Sequence, residues 1–322
     1  MLSEFDLIAR YFTRPLQPRS AATLGVGDDC ALLAPAPGLQ LAISTDMLVE
    51  GRHFYAGADP ALLGHKSLAV NLSDLAAMGA KPLAFTLALA LPAADEAWLA
   101  PFAQGLLALA DSYGCELVGG DTTRGPLTIS ITVFGEVPQA QALRRSAASP
   151  GDDIWVSGTL GDARLALASL AGELTLDAAS LAAAAPRLHA PTPRVALGLA
   201  LRGVAGAAID ISDGLAGDLG HILEQSGVGA TVEIDALPAG PMLACQRPDL
   251  QRAWCMAGGD DYELCFTAAP GRRDAVLEAA RASGTPVTRI GAIDAVPGLR
   301  LVDAAGQPCR ISQASFDHFA TP

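Results

Sequence analysis

Six short segments of this chain end an apolar run with one or two aspartates beside glycine, serine or threonine. The segments are GDDC (27–30), STD (44–46), NLSD (71–74), GGDTTRG (119–125), DISDG (210–214) and GGDDYE (258–263). A single aspartate next to glycine is typical of a turn, but turns alone do not require six occurrences of this pattern. We therefore expect the carboxylates to lie at strand ends and to gather at one edge of a sheet.

Several carboxylates in one cleft repel one another unless cations lie between them. Two unit charges 4 Å apart repel by about 4 kcal/mol at an effective dielectric of 20. The segments offer oxygen ligands without a cluster of cysteine or histidine, which favours Mg²⁺ ions that also bridge substrate phosphates. Asn71 and Asp74 support this prediction. Residues three apart share a helix face, and polar side chains on an otherwise apolar face are costly to bury unless they find partners, which a metal site would provide.

The charge of the chain excludes one class of partner. Its 322 residues carry a formal net charge of −13 and only two lysines, Lys66 and Lys81. A nucleic-acid backbone requires clustered basic residues, so we expect no nucleic-acid partner, and the lysine-containing P-loop motif is absent. A nucleotide can still bind if metal ions carry the positive charge. Arg124, Arg145 and the backbone at Gly119–Gly120 are then the candidate phosphate ligands.

Three features predict a soluble cytoplasmic protein with no membrane partner. The six cysteines are scattered and form no C-x-x-C pair, so we predict buried thiols in a reducing compartment. Residues 1–12 carry apolar side chains at helical spacing and predict an amphipathic helix rather than a signal peptide. The longest apolar run, 83–91, is too short to span a bilayer.

Alternating strand and helix patterns predict a mixed α/β (α+β) fold in two domains, 1–138 and 150–322. The stretch between them has no hydrophobic periodicity, which marks a connector. In the first domain the patterns predict helices at 60–78 and 95–113, and a short strand at 116–118 that ends before GGDTTRG.

Taken in order, the motifs closely resemble those of the thiamine-monophosphate kinases. The matching segments are GVGDDCALL, LAISTDMLVEGRHF, LAVNLSDLAAMGAKP, LVGGDTTRGPL, VSGTLGD, DISDGLAGDL, GGDDYEL and SFDHF. The resemblance as a whole runs in order from residue 4 to about residue 319, without large gaps. GGDTTRG and VNLSDLAAMGA are the most specific of them.

The resemblance implies the fold of the aminoimidazole-ribonucleotide-synthetase superfamily. In that fold the N-terminal α/β domain, here 1–138, binds ATP and metal and pairs its sheet with that of a second subunit, and a C-terminal α/β domain follows. The resemblance also implies the reaction. With several Mg²⁺ ions, ATP transfers its γ-phosphoryl group directly and in line to the phosphate of thiamine monophosphate. The product is thiamine diphosphate, and the reaction is the last step of its biosynthesis.

Residue by residue, the resemblance implies three groups of site residues. The metal ligands are expected to be Asp29, Ser44, Thr45, Asp46, Asp74, Asp121, Asp210 and Asp213. The ATP contacts are expected to be Gly120, Asp121, Arg145 and Ser212. The contacts to thiamine monophosphate are expected to be His53, Glu263 and Phe316. Among these, Asp46, Asp121 and Asp213 are expected to take the catalytic part.

Two alternatives stay open. The first is another ATP-dependent member of the superfamily, such as aminoimidazole-ribonucleotide synthetase, selenophosphate synthetase or the hydrogenase maturation factor. Selenophosphate synthetase requires a reactive cysteine or selenocysteine with lysine in a glycine-rich N-terminal segment. The hydrogenase maturation factor requires a C-terminal cysteine tail. The sequence has neither feature. The second alternative is a non-catalytic protein that binds a divalent cation and nucleotide, and the retention of every acidic ligand counts against it.

Overall fold

The computed structural model describes residues 4–18, 20–27 and 29–310. The chain divides into two compact units, the first made of 1–75 and 80–140 and the second of 76–79 and 141–322.

The first unit contains a four-stranded sheet and a separate two-stranded one. Its elements are α1 (Glu4–Leu7, followed by a π-helical turn at Ile8–Phe12), β1 (Ala22–Leu24), β2 (Leu32–Leu33), β3 (Leu39–Val49), α2 (Pro60–Ala77), β4 (Lys81–Leu91), α3 (Glu96–Tyr113), β5 (Glu116–Arg124) and β6 (Thr128–Pro138). The order in the larger sheet is β3-β6-β4-β5, so β3 and β5 are its edge strands. Only β4 and β5 pair in parallel; the other neighbours are antiparallel.

The two faces of this sheet have different environments. In β6, Ile129, Ile131 and Val133 are buried, whereas the residues between them are half-buried. Successive side chains of a strand point to opposite faces, so one face is covered and the other is open. The covered face meets α2, because Ser44 of β3 donates a hydrogen bond to Asp74 of α2. We call these two faces the inner face and the outer face.

Helix α3 begins and ends at residues suited to those positions. The carboxylate of Asp95 accepts a hydrogen bond from the N–H of Ala97 at 2.9 Å, which caps the first turn. At the other end Gly114 has φ +59°, a left-handed conformation that glycine adopts at little cost. Both helices predicted in this unit, at 60–78 and 95–113, are confirmed to within one residue at each end.

Among the described residues, the second unit contains a seven-stranded sheet and six α-helices. Its strands are β7 (Asp153–Ser157), β8 (Ala208–Ile211), β9 (Gly229–Glu233), β10 (Glu263–Ala268), β11 (Val287–Asp294), β12 (Gly298–Val302) and β13 (Pro308–Cys309). Its helices are α4 (Asp162–Leu170), α5 (Ala178–His189), α6 (Val195–Ala200), α7 (Leu215–Ser226), α8 (Pro248–Ala257) and α9 (Arg273–Ser283). The strand order is β13-β12-β9-β11-β7-β10-β8, and two interior strands, β7 and β10, are buried at every residue.

The expectation that the aspartates lie at strand ends is wrong for two of them. Asp46 lies inside β3 and Asp121 lies inside β5, whereas Asp74 lies on α2, in the helix predicted at 60–78. The predicted strand at 116–118 continues through the GGDTTR residues to Arg124 because β5 is paired with β4 as far as Leu91. Ladder hydrogen bonds with a neighbouring strand outweigh the poor strand propensity of glycine and aspartate.

All six cysteines lie in the described ranges, and none of them forms a disulfide. Cys115, Cys255 and Cys265 are buried, and burial raises the pKa of each thiol. The expectation of buried thiols is wrong for Cys30 and Cys245, which are exposed. Among the helices that the structure describes, none has the length and apolar character needed to cross a membrane.

Candidate active site

An oxygen-rich surface lies where the inner face of β3 meets α2. Ser44 donates its hydroxyl hydrogen bond to a carboxylate oxygen of Asp74. The N–H of Asp46 donates to Oδ1 of Asn71 at 3.2 Å, and Nδ2 of Asn71 donates to the carbonyl of Ser67 at 3.0 Å. Asn71 is buried, so these bonds hold its amide in one orientation. The expectation that Asn71 and Asp74 share a helix face is confirmed, and the structure shows that this face contacts Ser44 and Asp46.

Thr45 lies between these residues but faces the other way. Its hydroxyl is 2.8 Å from the hydroxyl of Thr132 on β6. Adjacent strand residues present their side chains to opposite faces, so the Thr45 hydroxyl is on the outer face. Only the main chain of Thr45 is available beside Ser44 and Asp46.

Within the sheet, Asp121 does not lie on the oxygen-rich surface formed by β3 and α2. Across the strands, Asp46 aligns with Ile131, Leu87 and Gly120, whereas Asp121 aligns with Ala88. Aligned residues share a face, so Asp46 is on the inner face and Asp121 is on the outer face. They also lie on opposite edge strands, three strand spacings or roughly 14 Å apart. Two of the expected catalytic carboxylates are therefore separated within this unit.

Gly120 lets β5 approach β4 more closely than other residues allow. Its φ is +151°, and a Cβ at this position would lie 1.9 Å from the carbonyl oxygen of Leu87. At the neighbouring Gly119 the nearest atom to a Cβ would be 3.7 Å away, an ordinary contact. Of the two glycines in GGDTTRG, only the second, Gly120, is thus required by the packing of β5 against β4. This requirement holds whether or not a ligand binds there.

His53 lies in a tight turn that follows β3. The N–H of Val49 donates to Nδ1 of His53 at 3.0 Å, and the N–H of His53 donates to the carbonyl of Val49 at 3.0 Å. Because Nδ1 accepts a hydrogen bond, the proton of the neutral ring is on Nε2. The ring therefore presents a donor at its far nitrogen.

Asp29 lies in an exposed bend between β1 and β2. Among the residues that the structure describes, no group of three histidine, cysteine, aspartate or glutamate side chains is arranged to hold a metal ion. A cation at the Ser44–Asp74 surface therefore needs further ligands from water or from a bound phosphate.

In the second unit, the DISDG segment wraps around one carboxylate. Asp210 is buried in β8, and the N–H groups of Ser212, Asp213 and Gly214 all donate to Oδ2 of Asp218 at 3.1–3.2 Å. Burial, and then the neighbouring Asp213 carboxylate, raise the pKa of Asp218 to about 7, and the three N–H groups act in the opposite direction. Asp218 thus fixes the backbone of the loop that carries Ser212 and Asp213.

The GGDDYE loop is bonded to the DISDG loop through the backbone. The N–H of Asp260 donates to the carbonyl of Ser212, and the N–H of Tyr262 donates to that of Ile211, both at 2.8 Å. Asp260 and Tyr262 have φ values of +67° and +50°, which are uncommon for residues other than glycine. Strain of this kind persists only where the surroundings hold it.

Glu263 is part of what holds this loop. It is 0% exposed, and its two oxygens accept bonds from Arg187 at 2.7 Å, from Arg194 at 2.5 and 2.6 Å, and from the hydroxyl of Ser157 at 2.6 Å. Arg187 also donates to the carbonyl of Asp261 at 2.9 Å. We call Glu263, Arg187, Arg194 and Ser157 the Glu263 cluster. The carboxylate expected to contact substrate is enclosed by protein donors.

The backbone around the cluster is also adapted to it. A Cβ on Gly158, which has φ +55°, would lie 2.1 Å from Oε1 of Glu263. The Asp261 carboxylate accepts from the N–H of Gly161 at 2.9 and 3.0 Å, and burial raises its pKa well above the usual range. Asp218, Arg187 and Arg194 were not singled out from the sequence. The only local signal for Asp218 was its position five residues after Asp213 in DISDGLAGD.

Two expected ligand contacts remain. Arg145 is exposed, in a 3₁₀ turn at Arg145–Ala147, and its carbonyl accepts from the hydroxyl of Ser226 at 2.8 Å. Phe316 lies outside the described residues, so the expected stacking contact stays a prediction.

Comparisons with known proteins identify the family. The profile of AIR synthase related protein, N-terminal domain, matches residues 27–137, and that of AIR synthase related protein, C-terminal domain, matches residues 149–304. The thiamine-monophosphate kinase of Salmonella typhimurium is 49% identical over 322 residues, which cover 99% of this chain and 99% of the relative. The chain belongs to the thiamine-monophosphate kinase family.

Solved structures of this family share the fold. Thiamine-monophosphate kinase from Stenotrophomonas maltophilia K279a is 49% identical, with a TM-score of 0.83 over 88% of this chain and 92% of that chain. AaThiL, solved in complex with AMPPCP and TMP, is 29% identical, with a TM-score of 0.77 over 89% of each chain. The predicted mixed α/β fold of two aminoimidazole-ribonucleotide-synthetase-like domains is thereby confirmed, and the chain is a member of an enzyme family.

The two AIR synthase related profiles cover most of the candidate site. The expected metal ligands, His53 and Glu263 all fall within the two matched ranges, whereas Arg145 and Phe316 fall outside them.

Proposed function

We propose that this chain transfers the γ-phosphoryl group of ATP to the phosphate of thiamine monophosphate, giving thiamine diphosphate and ADP. One observation supports the proposal most directly. AaThiL, which aligns with this chain over 89% of each chain, was solved with AMPPCP and TMP bound in the same structure. A kinase site for this reaction requires groups that hold the triphosphate of ATP and the single phosphate of the acceptor. The first unit presents an oxygen-rich surface. The second unit presents two loops that are bonded to each other and carry further carboxylates.

The chemistry needs positioning and charge neutralisation more than proton removal. Acceptor and donor are both anionic phosphates, so the barrier comes mainly from bringing negative groups together in line. A phosphate monoester has a second pKa near 6, so the accepting oxygen is already ionised at neutral pH. No strong general base is therefore needed.

Several Mg²⁺ ions fit the donors that the chain presents. Ser44, Asp46, Asn71 and Asp74 offer hydroxyl, carboxylate and amide oxygens with no thiol, which is the chemistry of a hard cation. Asp29, Thr45 through its main chain, Asp121, Asp210 and Asp213 complete the proposed set. When bound, the ions neutralise phosphate charge and help to align the phosphates.

The remaining residues bind and orient the substrates. Gly120 and Asp121, the Ser212 hydroxyl and the planar guanidinium of Arg145 are proposed to contact ATP. His53 is proposed to donate from Nε2 to the phosphate of thiamine monophosphate, since its Nδ1 accepts from Val49. Glu263 is proposed to act by holding the Asp260–Tyr262 loop, because both of its oxygens already accept bonds from Arg187, Arg194 and Ser157.

We further propose that residues 1–138 bind ATP and metal and form a homodimer through the outer face of the sheet. Leu41, Ile43 and Met47 alternate along β3 on that face and are 41%, 59% and 56% exposed. Contiguous exposed apolar groups mark an interaction surface. Sedimentation of the wild type as a dimer and of Ile43→Arg as a folded monomer is expected. A monomeric wild type at micromolar concentration would contradict the proposal.

A cytoplasmic location is also proposed, and the three buried free thiols and the absence of a disulfide among the described cysteines support it. Cell fractionation that places the chain elsewhere would overturn it.

The function is tested by incubating the protein with ATP, Mg²⁺ and thiamine monophosphate and separating the products by chromatography. Thiamine diphosphate and ADP are expected in equal amounts, formation should stop with a chelator, and it should return with excess Mg²⁺. Consumption of ATP that does not depend on thiamine monophosphate would favour another superfamily activity. Nucleotide binding without any turnover would favour the non-catalytic alternative.

A further inference from the structure

The turn that precedes β10 holds two residues in the left-handed region of backbone conformation, Asp260 with φ +67° and Tyr262 with φ +50°. Aspartate adopts this conformation fairly often, because its short polar side chain can form local hydrogen bonds, whereas a bulky residue such as tyrosine rarely does. The conformational cost therefore falls mainly on Tyr262. Such a conformation persists only where neighbouring groups hold it.

The peptide group between Asp261 and Tyr262 sets this conformation. Its carbonyl accepts a hydrogen bond from Nη2 of Arg187 at 2.9 Å, and its N–H donates to the carbonyl of Ile211 at 2.8 Å. A rotation of this group by about 180° would bring the φ of Tyr262 to about −130°, an ordinary value for a strand. The rotation would relieve Tyr262, but it would break both hydrogen bonds.

The guanidinium of Arg187 is placed to bind this carbonyl. Its Nη2 also donates to Oε1 of Glu263 at 2.7 Å, so a buried carboxylate holds the same nitrogen against the turn. The Nε of Arg187 is buried and has no hydrogen-bond partner among the residues that the structure describes. Burying an unpaired donor is costly. The side chain therefore gives up one hydrogen bond in the position from which Nη2 reaches both oxygens.

Arg194 provides a comparison within the same cluster. Its Nε and Nη2 donate to the two oxygens of Glu263 at 2.6 and 2.5 Å. The side chains of Arg187 and Arg194 are 20% and 18% exposed. The two arginines thus match in burial and in their carboxylate partner, and the bond to the Asp261 carbonyl is made by Arg187.

We propose that Arg187 is a positioning residue for phosphoryl transfer, which keeps the Asp261–Tyr262 peptide group from rotating and so keeps the turn bonded to the DISDG loop. The inference rests on the proposed function, because that loop carries Ser212 and Asp213, the proposed contacts to ATP and metal. When the peptide group rotates, the loop loses one of its backbone bonds to the turn. Ser212 and Asp213 are then less well placed for the reaction.

Hydrogen exchange at the amide of Tyr262, followed by NMR, tests the rotation without any turnover. Arg187→Met keeps an unbranched side chain without the guanidinium, and it should speed exchange at Tyr262 by about tenfold relative to the amides in the middle of β10. Those amides correct for any loss of stability of the whole sheet. Arg194→Met is the matched control, since it removes a guanidinium from Glu263 and retains the bond to the Asp261 carbonyl. It should change the same ratio by less than about twofold.

A glycine at position 262 separates backbone strain from ordinary charge pairing. Arg187→Met is expected to lower kcat by about tenfold, the factor that corresponds to the left-handed cost of a residue with a Cβ. Glycine takes this conformation at little cost, so in a Tyr262→Gly background the same replacement should lower kcat by no more than about twofold. Arg187→Lys, which keeps a charged donor without the planar fork, should give an intermediate kcat and the same dependence on residue 262.

Three results would overturn the role of Arg187. They are equal exchange ratios at Tyr262 in Arg187→Met and Arg194→Met, equal losses of kcat in the tyrosine and glycine backgrounds, and wild-type kcat in Arg187→Met. If Arg187→Met does not fold, Arg187→Lys gives the same comparisons. The proposed function fails only if the wild type forms no thiamine diphosphate, whereas the exchange measurement tests the peptide group itself.

Discussion

Replacing Asp46 with asparagine is expected to lower kcat by roughly a hundredfold or more, even at saturating Mg²⁺, because it removes one charged oxygen ligand of the proposed metal surface. Lewis-acid stabilisation of a phosphoryl transfer is worth several kcal/mol, and each 1.36 kcal/mol is a factor of ten in rate. The backbone bond from Asp46 to Asn71 does not involve the carboxylate, so the fold is retained. Steady-state kinetics with varied Mg²⁺ would measure the effect.

The stability of the same variant distinguishes a ligand from a structural carboxylate. Asp46 and Asp74 lie on facing surfaces of β3 and α2, so removing one charge reduces repulsion when no metal is bound. Without metal, Asp46→Asn should melt at the wild-type temperature or above it. The exposed Asp249, paired with Arg247 at the surface, offers a control. Asp249→Asn should change neither kcat nor the melting temperature without metal. Turnover of Asp46→Asn within a few-fold of the wild type would remove Asp46 from the site.

Replacing Glu263 with glutamine is expected to destabilise the second unit by about 3–5 kcal/mol, the usual cost of breaking a buried ion pair by removing one charge. The carboxylate accepts bonds from two guanidinium groups and one hydroxyl, and an amide cannot accept all of them. The loss should appear as a lower midpoint in urea unfolding. At temperatures where the variant is folded, kcat should also fall, because the loop bonded to Ser212 is less well held.

A matched surface pair separates this effect from ordinary charge removal. Glu278 and Arg281 form an ion pair whose side chains are each 68% exposed, and such pairs contribute about 0–1 kcal/mol. Glu278→Gln should therefore leave the urea midpoint almost unchanged. If Glu263→Gln unfolded at the wild-type midpoint but bound thiamine monophosphate poorly, Glu263 would be a direct substrate contact rather than a positioning residue.

Local patterns were sufficient for the elements but not for the pairing between them. The helix at 96–113 was predictable because Asp95 caps it, Gly114 ends it and its apolar residues recur at helical spacing. The continuation of β5 through Gly119 and Asp121 was not, because only pairing with β4 makes such residues extended. The opposite faces of Asp46 and Asp121 follow from the register between strands, which no local pattern contains.

The supporting groups of the second unit were hidden for a similar reason. Arg187 and Arg194 lie about 70 residues before Glu263 in sequence, and nothing near them indicates a buried carboxylate partner. The acids themselves were visible because each follows an apolar run. The residues that orient them became visible only from the tertiary contacts.

Transfer of label from ATP tests the central claim most directly. ATP carrying radioactive phosphorus in its γ-phosphate would be incubated with Mg²⁺, thiamine monophosphate and the protein, and the products separated. We predict that the label appears in the terminal phosphate of thiamine diphosphate, one for each ADP formed, and that Asp46→Asn transfers less label by roughly a hundredfold or more in the same time. Release of the label as inorganic phosphate, with thiamine monophosphate unchanged, would contradict it.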